Sequence, residues 1–384
     1  MKHIVTKYKR TEVSMIAATM LLIVGLIVTV SILNNDTNTQ TKAASVNSIE
    51  PENGAIAGNV TIVNDTAASG GKYVKFGTIP VNPYVTVCGL SLCLNGQEWY
   101  LYAASNLVAL DAPDTEADLA VSGNINTIRI VDFLDTSGNP ATAPFDEARW
   151  QKVDRTIAAA KARNLKVILD LSGYRNLLAR NNINPYTQDW NPFITFAANR
   201  KNTVTNVLYK DDPTIALIDF AGEVEPPNAS TNTLGVTSQQ VTDFFRSVFA
   251  QWKGLDTNHL LSSGGFLQLD WNSGIDWKTI WNLPGSDVCN IHNYSSGDTN
   301  TTTPQVAQYC ASINKPWITE EFGWEQGIGD SQRAANFQTI YNLQKQYNSA
   351  GVGFWNLWTD VRSDSFDVNP NTPLTWEVVR TNAF

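Results

Sequence analysis

Two pairs of acidic side chains carry most of the chemical interest in this 384-residue chain: Glu223 with Glu225, and Glu320 with Glu321. Each pair follows a short apolar run, where a strand would end. Two carboxyl groups facing one another across a pocket can break a glycosidic bond. One protonates the departing oxygen, while the other attacks the anomeric carbon or activates water. A strand-end Glu is more often solvated or paired with Arg, so the elements that would bring these acids together decide between the readings.

Those elements are legible from residue 97 onward, where short apolar runs alternate with amphipathic stretches. Strands are expected at 99–104, 127–131, 166–171, 215–221, 259–262, 288–292, 317–320 and 353–358, and helices at 146–163, 237–255 and 331–349 among others. Eight strand–helix units within residues 81–384 match the size of a (β/α)8 TIM barrel. An open doubly wound sheet is the alternative, but the Gly-rich phosphate loop it would carry after its first strand is missing from the sequence. In a barrel the chemistry gathers at the strand C-termini. Those ends are Asn106, Arg129–Asp132, Asp170–Tyr174, Glu223, Glu225, Ser263, His292, Tyr294, Glu320, Glu321, Trp355 and Trp358.

Six segments carry a resemblance in the right order. DDPTIALIDFAGEVEPP resembles the fourth strand of glycoside hydrolase family 5, KPWITEEFGW its seventh, NIHNYS its sixth, HLLSSGGF its fifth, NTIRIV its second and GFWNLWT its eighth. The resemblance implies Glu223 as general acid/base and Glu321 as nucleophile, with Glu225 and Glu320 as their competitors. It implies that Arg129 holds the nucleophile, Tyr294 hydrogen-bonds it, His292 lines the site and Trp355 floors it. Trp271, Trp324 and Trp358 are candidate stacking platforms, with core packing the alternative for each. The implied reaction is retaining hydrolysis, with carboxyl groups about 5–5.5 Å apart and the Glu223 pKa raised by burial. The opening LCLNGQEWYLYAASN and HLLSSGGF are most similar to the family's endo-β-1,4-mannanases. An endo-β-1,4-glucanase or another β-glycosidase of the family is the alternative, and a membrane-anchored glycan-binding protein that has lost turnover is a further one.

The sequence departs from the family at two places. Gly222 stands where the family usually has an Asn that binds the sugar's 2-hydroxyl, and Ser172-Gly173-Tyr174 stands where a His is common after the third strand.

Composition restricts the partners. With 27 Lys+Arg against 36 Asp+Glu the net charge is −9, which argues against nucleic acid, and a core-forming 43% hydrophobic content argues against disorder. No motif calls for a metal or cofactor; a polysaccharide is the expected partner. Lys2, Lys7, Lys9 and Arg10 in the basic segment 1–12 precede a charge-free stretch at 13–35, long enough to span a bilayer as a helix. The expectation is a transmembrane signal anchor with the rest of the chain outside the cell; secretion after signal cleavage is the alternative. A flexible tether follows at 36–47 and a short β spacer at 48–80. In the spacer, ASGGKYVKFG resembles a signature of family 35 and 6 carbohydrate-binding modules, in a stretch too short for a complete one. An exported chain with four cysteines permits two disulfides, Cys88 with Cys93 and Cys289 with Cys310.

Overall fold

The computed structural model describes residues 60–76, 82–106, 110–134, 137–224, 236–267, 269, 275–294, 298–360, 362 and 365–383. The expected anchor and tether, Glu225 and Trp271 lie outside these residues. Among the described residues no helix is long and apolar enough to cross a membrane. The chain divides into two units, Met1–Ile79 and Pro80–Phe384.

In the first unit, β1 (Val60–Asn64) pairs antiparallel with β2 (Lys72–Phe76), from Val60↔Phe76 to Asn64↔Lys72. The hairpin turns at Ser69–Gly71 and lies within the β spacer expected at 48–80. The two strands among the described residues of this unit fall well short of the sandwich a sugar-binding module needs, so the resemblance to such modules gains no support here.

The second unit opens with a small antiparallel sheet, β3 (Val85–Cys88), β4 (Ser91–Leu94) and β5 (Gln97–Trp99). The sequence pointed only to a staple there, and the Cys88–Cys93 disulfide does close the turn between β3 and β4. Val85 and Leu92 pack with Leu101, Ile168, Leu217, Leu260 and Ile318. These residues lie toward the N-terminal ends of the parallel strands, so the small sheet covers the end of the barrel opposite the acids.

The parallel strands are β6 (Leu101–Ser105), β7 (Thr127–Ile130), β8 (Lys166–Asp170), β9 (Ile215–Asp219), β10 (Glu223–Val224), β11 (Leu260–Ser262), β12 (Gly265–Phe266), β13 (Cys289–Asn293), β14 (Trp317–Phe322) and β15 (Gly351–Phe354). Pairing runs β10-β12-β13-β14-β15-β6-β7-β8-β9-β11. The two ends of that order are the upper and lower halves of the same two expected strands, the fourth and fifth. Each is interrupted near its middle. Bonds from Ala221 N to Ser263 O (3.1 Å) and from Gly265 N to Gly222 O (2.7 Å) bridge the interruption. The curled sheet is thus consistent with a (β/α)8 barrel.

Helices form the outer layer because their apolar residues recur every three or four positions. Ser238–Lys253 buries Val241, Phe244, Phe245, Val248, Phe249 and Trp252. It starts at a capping box in which the Thr237 hydroxyl accepts from Gln240 N while the Gln240 side chain accepts from Thr237 N. Glu147–Ala162 starts under an Asp146 cap and buries Trp150, Val153 and Ile157. Truncating a fully buried aromatic such as Phe249 would cost about 3–5 kcal/mol. The Cys289–Cys310 disulfide ties β13 to the helix Thr303–Ser312 that follows it.

Candidate active site

Parallel strands place their C-terminal residues on one rim, and the candidate acids lie there. Arg129 on β7 is 1% exposed and forms the hub. Its Nη1 donates to Glu321 Oε1, its Nη2 to Asp170 Oδ2 at 2.6 Å, and Nη1 also to Ser105 Oγ at 3.2 Å. Its Nε lies 3.3 Å from Glu320 Oε2. Tyr294 Oη donates to Glu321 Oε2 at 2.6 Å. Burial, reinforced by the Glu321 charge, pushes the phenol well above its ordinary pKa, so it remains a donor.

Regular strand geometry would send Glu320 and Glu321 to opposite faces. The pairing of β13 with β14 shifts instead: Ile291 is matched with Thr319 and His292 with Glu321, leaving Glu320 as the extra residue. Both acids then reach the same cations.

His292 stands between the acids, with Nδ1 3.1 Å from Glu223 Oε1 and 3.5 Å from Glu321 Oε2. Its ring needs Gly265, because a Cβ there would lie 1.9 Å from His292 Cδ2. Burial opposes charge on the imidazole, but Glu321, Glu223 and Glu320 outweigh it and push its pKa up to about 10. That cation decides the state of Glu223. Burial raises the Glu223 carboxyl, yet the His292 hydrogen bond and charge, with Arg129 and Arg175, hold it below the ordinary carboxylate value. The expected rise is therefore corrected: a buried imidazolium, which spacing along the sequence could not reveal, faces Glu223.

Oxygens of Glu223 and Glu321 and a ring nitrogen of His292 all lie within 4.8 Å of one another. Three such atoms could in principle hold a metal ion, but a protonated His292 and the Arg129 guanidinium already supply the positive charge. The cleft above them has a volume of about 440 Å³. Its walls include Asp170, Ser172, Arg175, Gly222, Trp355 and Phe366.

A family model described as "Cellulase (glycosyl hydrolase family 5)" matches residues 102–361. The chain belongs to glycosyl hydrolase family 5. Among its relatives, mannan endo-1,4-beta-mannosidase 1 of Oryza sativa subsp. japonica is 29% identical over 48% of this chain and half of that protein's length. Mannan endo-1,4-beta-mannosidase 7 of Arabidopsis thaliana is 24% identical over 73% of this chain and 79% of the relative. In three dimensions the chain is similar to the endo-1,4-beta-mannanase of Rhizomucor miehei, with a TM-score of 0.66 at 20% identity, covering 78% of this chain and 98% of the other. That likeness speaks to the fold.

Within this family 5 chain, the structure gathers Glu223, Glu321, Arg129, Tyr294 and Trp355 at one cleft, whereas His292, expected to line it, is fully buried between the two acids. It does not bring in the other two tryptophans. Trp324 packs against Phe322 and Phe337, and Trp358 lies beneath the Arg362 guanidinium, 4.0 Å from its ring centroid. Neither lines the cleft. Asn106 is buried and donates to Glu116 at 2.6 Å, and Tyr174 stacks on Phe193 with centroids 4.0 Å apart. Arg175 and Phe366 were not singled out from the sequence. Arg175 donates from Nη1 to the Glu223 carbonyl, and its place just beyond the third strand was the available signal. Phe366 had none.

Gly222 adopts φ 63°, and a Cβ there would lie 2.8 Å from Ser172 Oγ and 3.2 Å from Asp170 Oδ2. The space a larger residue would need is filled by Asp170 at the end of β8 and by Ser172 at the start of the helix Ser172–Arg180. The two departures from the family's pattern thus meet in one place.

Proposed function

We propose that this family 5 chain is a retaining endo-β-1,4-glycanase whose substrate is mannan. The observation that carries the retaining mechanism is the approach of Glu223 and Glu321 carboxylate oxygens to within 4.8 Å. An inverting enzyme leaves about 6.5–9.5 Å for a water molecule, whereas double displacement needs about 5–5.5 Å. Glu321, oriented by Arg129 and Tyr294, attacks the anomeric carbon, and Glu223 protonates the departing oxygen. Glu223 then removes a proton from the water that releases the glycosyl-enzyme. Its side chain is 34% exposed against 8% for Glu321, which suits a group that exchanges protons with solvent. Trp355 lies on the cleft wall, where an indole suits a sugar ring.

The names of the plant relatives support mannan; β-1,4-glucan is the alternative within the family. A second class of reading, a glycan binder without turnover, is favoured by the depressed Glu223 pKa and by Gly222. The charge-free stretch at 13–35 behind a basic segment, together with two disulfides, supports a catalytic unit displayed outside the cell on an anchor. Incubating the full chain with mannan and with soluble cellulose, and following reducing ends and the first-formed anomer by NMR, tests the substrate, the mechanism and the enzyme reading. Mannan cleavage with retained configuration is expected. Preference for cellulose would overturn the substrate, inversion the mechanism, and no cleavage of either the enzyme reading.

A further inference from the structure

Asp219 and Glu320 are fully buried in the barrel, and the proposed reaction uses neither. Asp219 ends β9, and Glu320 is the extra residue of β14. Glu320 Oε2 accepts from Asn290 Nδ2 at 2.8 Å and faces His292 Nε2 at 3.4 Å and Arg129 Nε at 3.3 Å. Three carboxylate oxygens are left with no donor among the described residues: both of Asp219, and Glu320 Oε1. Arg129 Nε lies 3.9 Å from Asp219 Oδ2, beyond hydrogen-bond reach. An ionised carboxylate so placed would be strongly destabilising, because its lost hydration is not replaced.

One proton reduces the deficit from three oxygens to one, and leaves that one as the neutral carbonyl oxygen of an acid. If the Asp219 carboxyl is protonated, its O–H donates to Glu320 and the ionised charge rests on Glu320, beside the cations. Burial and then the Glu320 charge push the Asp219 carboxyl well above the usual range. Burial also works against charge on Glu320, but Arg129, the bond from Asp219 and His292 bring it down to about 2. The titratable and charged groups facing this pair are Arg129 on β7, Asp170 on β8, His292 on β13 and Glu321 on β14.

We propose that Asp219 and Glu320 form a buried carboxylic acid–carboxylate pair that grips Arg129 and His292 from behind, and so positions the two reacting carboxyl groups in front of those cations. Glu320 is a positioning residue, since it acts through Arg129 and His292. The inference goes beyond the proposed hydrolysis and rests on that reading only for its kinetic consequence.

The test begins without substrate. Infrared spectra of the full chain at neutral pH should contain the carbonyl stretch of a protonated carboxyl group that disappears in Asp219→Asn, whose amide donates in place of the shared proton. With 15N-labelled histidine, the His292 resonance should hold its charged form to about pH 10 in the wild type. In Glu320→Gln its midpoint should fall by more than about one pH unit. Kinetically, Asp219→Ala should lose at least about tenfold more kcat than Asp219→Asn, with KM changed less. No lost infrared band, or an unmoved His292 midpoint, overturns the pair. Should Glu320→Gln fail to fold, equal kcat losses in the two Asp219 variants overturn it instead. Failure to cleave any glycan strikes the proposed function and leaves the infrared result standing.

Discussion

Glu320 and Glu321, adjacent in sequence, hold opposite edges of the same two cations. Glu321 accepts from Arg129 Nη1 and faces His292 at Nδ1; Glu320 faces Arg129 at Nε as an ion pair without a hydrogen bond, and His292 at Nε2. The register shift between β13 and β14 makes this possible. It also separates the neighbours' chemistry, since Glu321 lines the cleft and Glu320 does not.

Removing Glu321 should therefore differ in kind from removing Glu320. Glu321→Ala is expected to lower kcat on mannan by at least about 10³-fold, while Glu320→Ala, which disturbs only the support, keeps measurable turnover. Steady-state assays on both variants check it. The reverse ranking would move the nucleophile by one residue.

The pH dependence of turnover should report His292. Its positive charge holds the Glu223 carboxyl low, so the wild-type kcat/KM should decline on its alkaline side from an acidic pH. In His292→Gln the lowering charge is gone and burial prevails, so that limb should move to higher pH. A pH–rate profile in which the limb stays put or moves to lower pH would contradict this coupling.

Stability should fall on the alkaline side as well. In the folded state, against burial, the neighbouring carboxylates raise the His292 pKa from its ordinary 6.5 to about 10. Its contribution is thus complete below about pH 6.5 and is lost as pH rises through 10, by up to about 1.4 kcal/mol per pH unit. Glu320, depressed to about 2, contributes with the opposite sign: its share is present above about pH 4.5 and is lost as pH falls toward 2. Unfolding scans between pH 6.5 and 10 should show Tm decreasing, with a flatter profile for His292→Gln. Equal slopes in the two proteins would refute the assignment.

Gly222 and Ser172 should behave as a coupled pair. Asn tolerates a positive φ, but the added Cβ would meet Ser172 Oγ at 2.8 Å. Gly222→Asn alone is expected to cost about 1–3 kcal/mol. Combined with Ser172→Gly it should cost less than the sum of the single changes by at least about 0.5 kcal/mol. Denaturant titrations of the three variants measure this, and strict additivity would show that the two sites do not share space.

Much of the site was legible because strand ends in a parallel barrel share a rim, so an ordered list of strand-end residues already names the candidates. Arg129, Glu223, Tyr294, Glu321 and Trp355, named in that list, line one cleft, and His292 lies buried between the two acids. Trp324 and Trp358 show where the method stops: an aromatic residue after a strand can turn toward the cleft or toward a neighbouring layer, and Phe337 and Arg362 supply that other layer. Beyond the Cys88–Cys93 staple, the sheet β3–β5 was missed because strands of three or four residues carry too few alternations to register as a period.

The sequence by itself determined the family, the order of alternating strands and helices, and which acids could meet, since all of these follow from residue type and local periodicity. Tertiary structure alone decided the electrostatics. Glu223 is held low because a buried imidazolium faces it, and Glu320 joins Glu321 at the same cations because one register shift turns both acids toward them. Such effects depend on distances of a few ångströms between residues up to about two hundred positions apart, and no linear spacing encodes them.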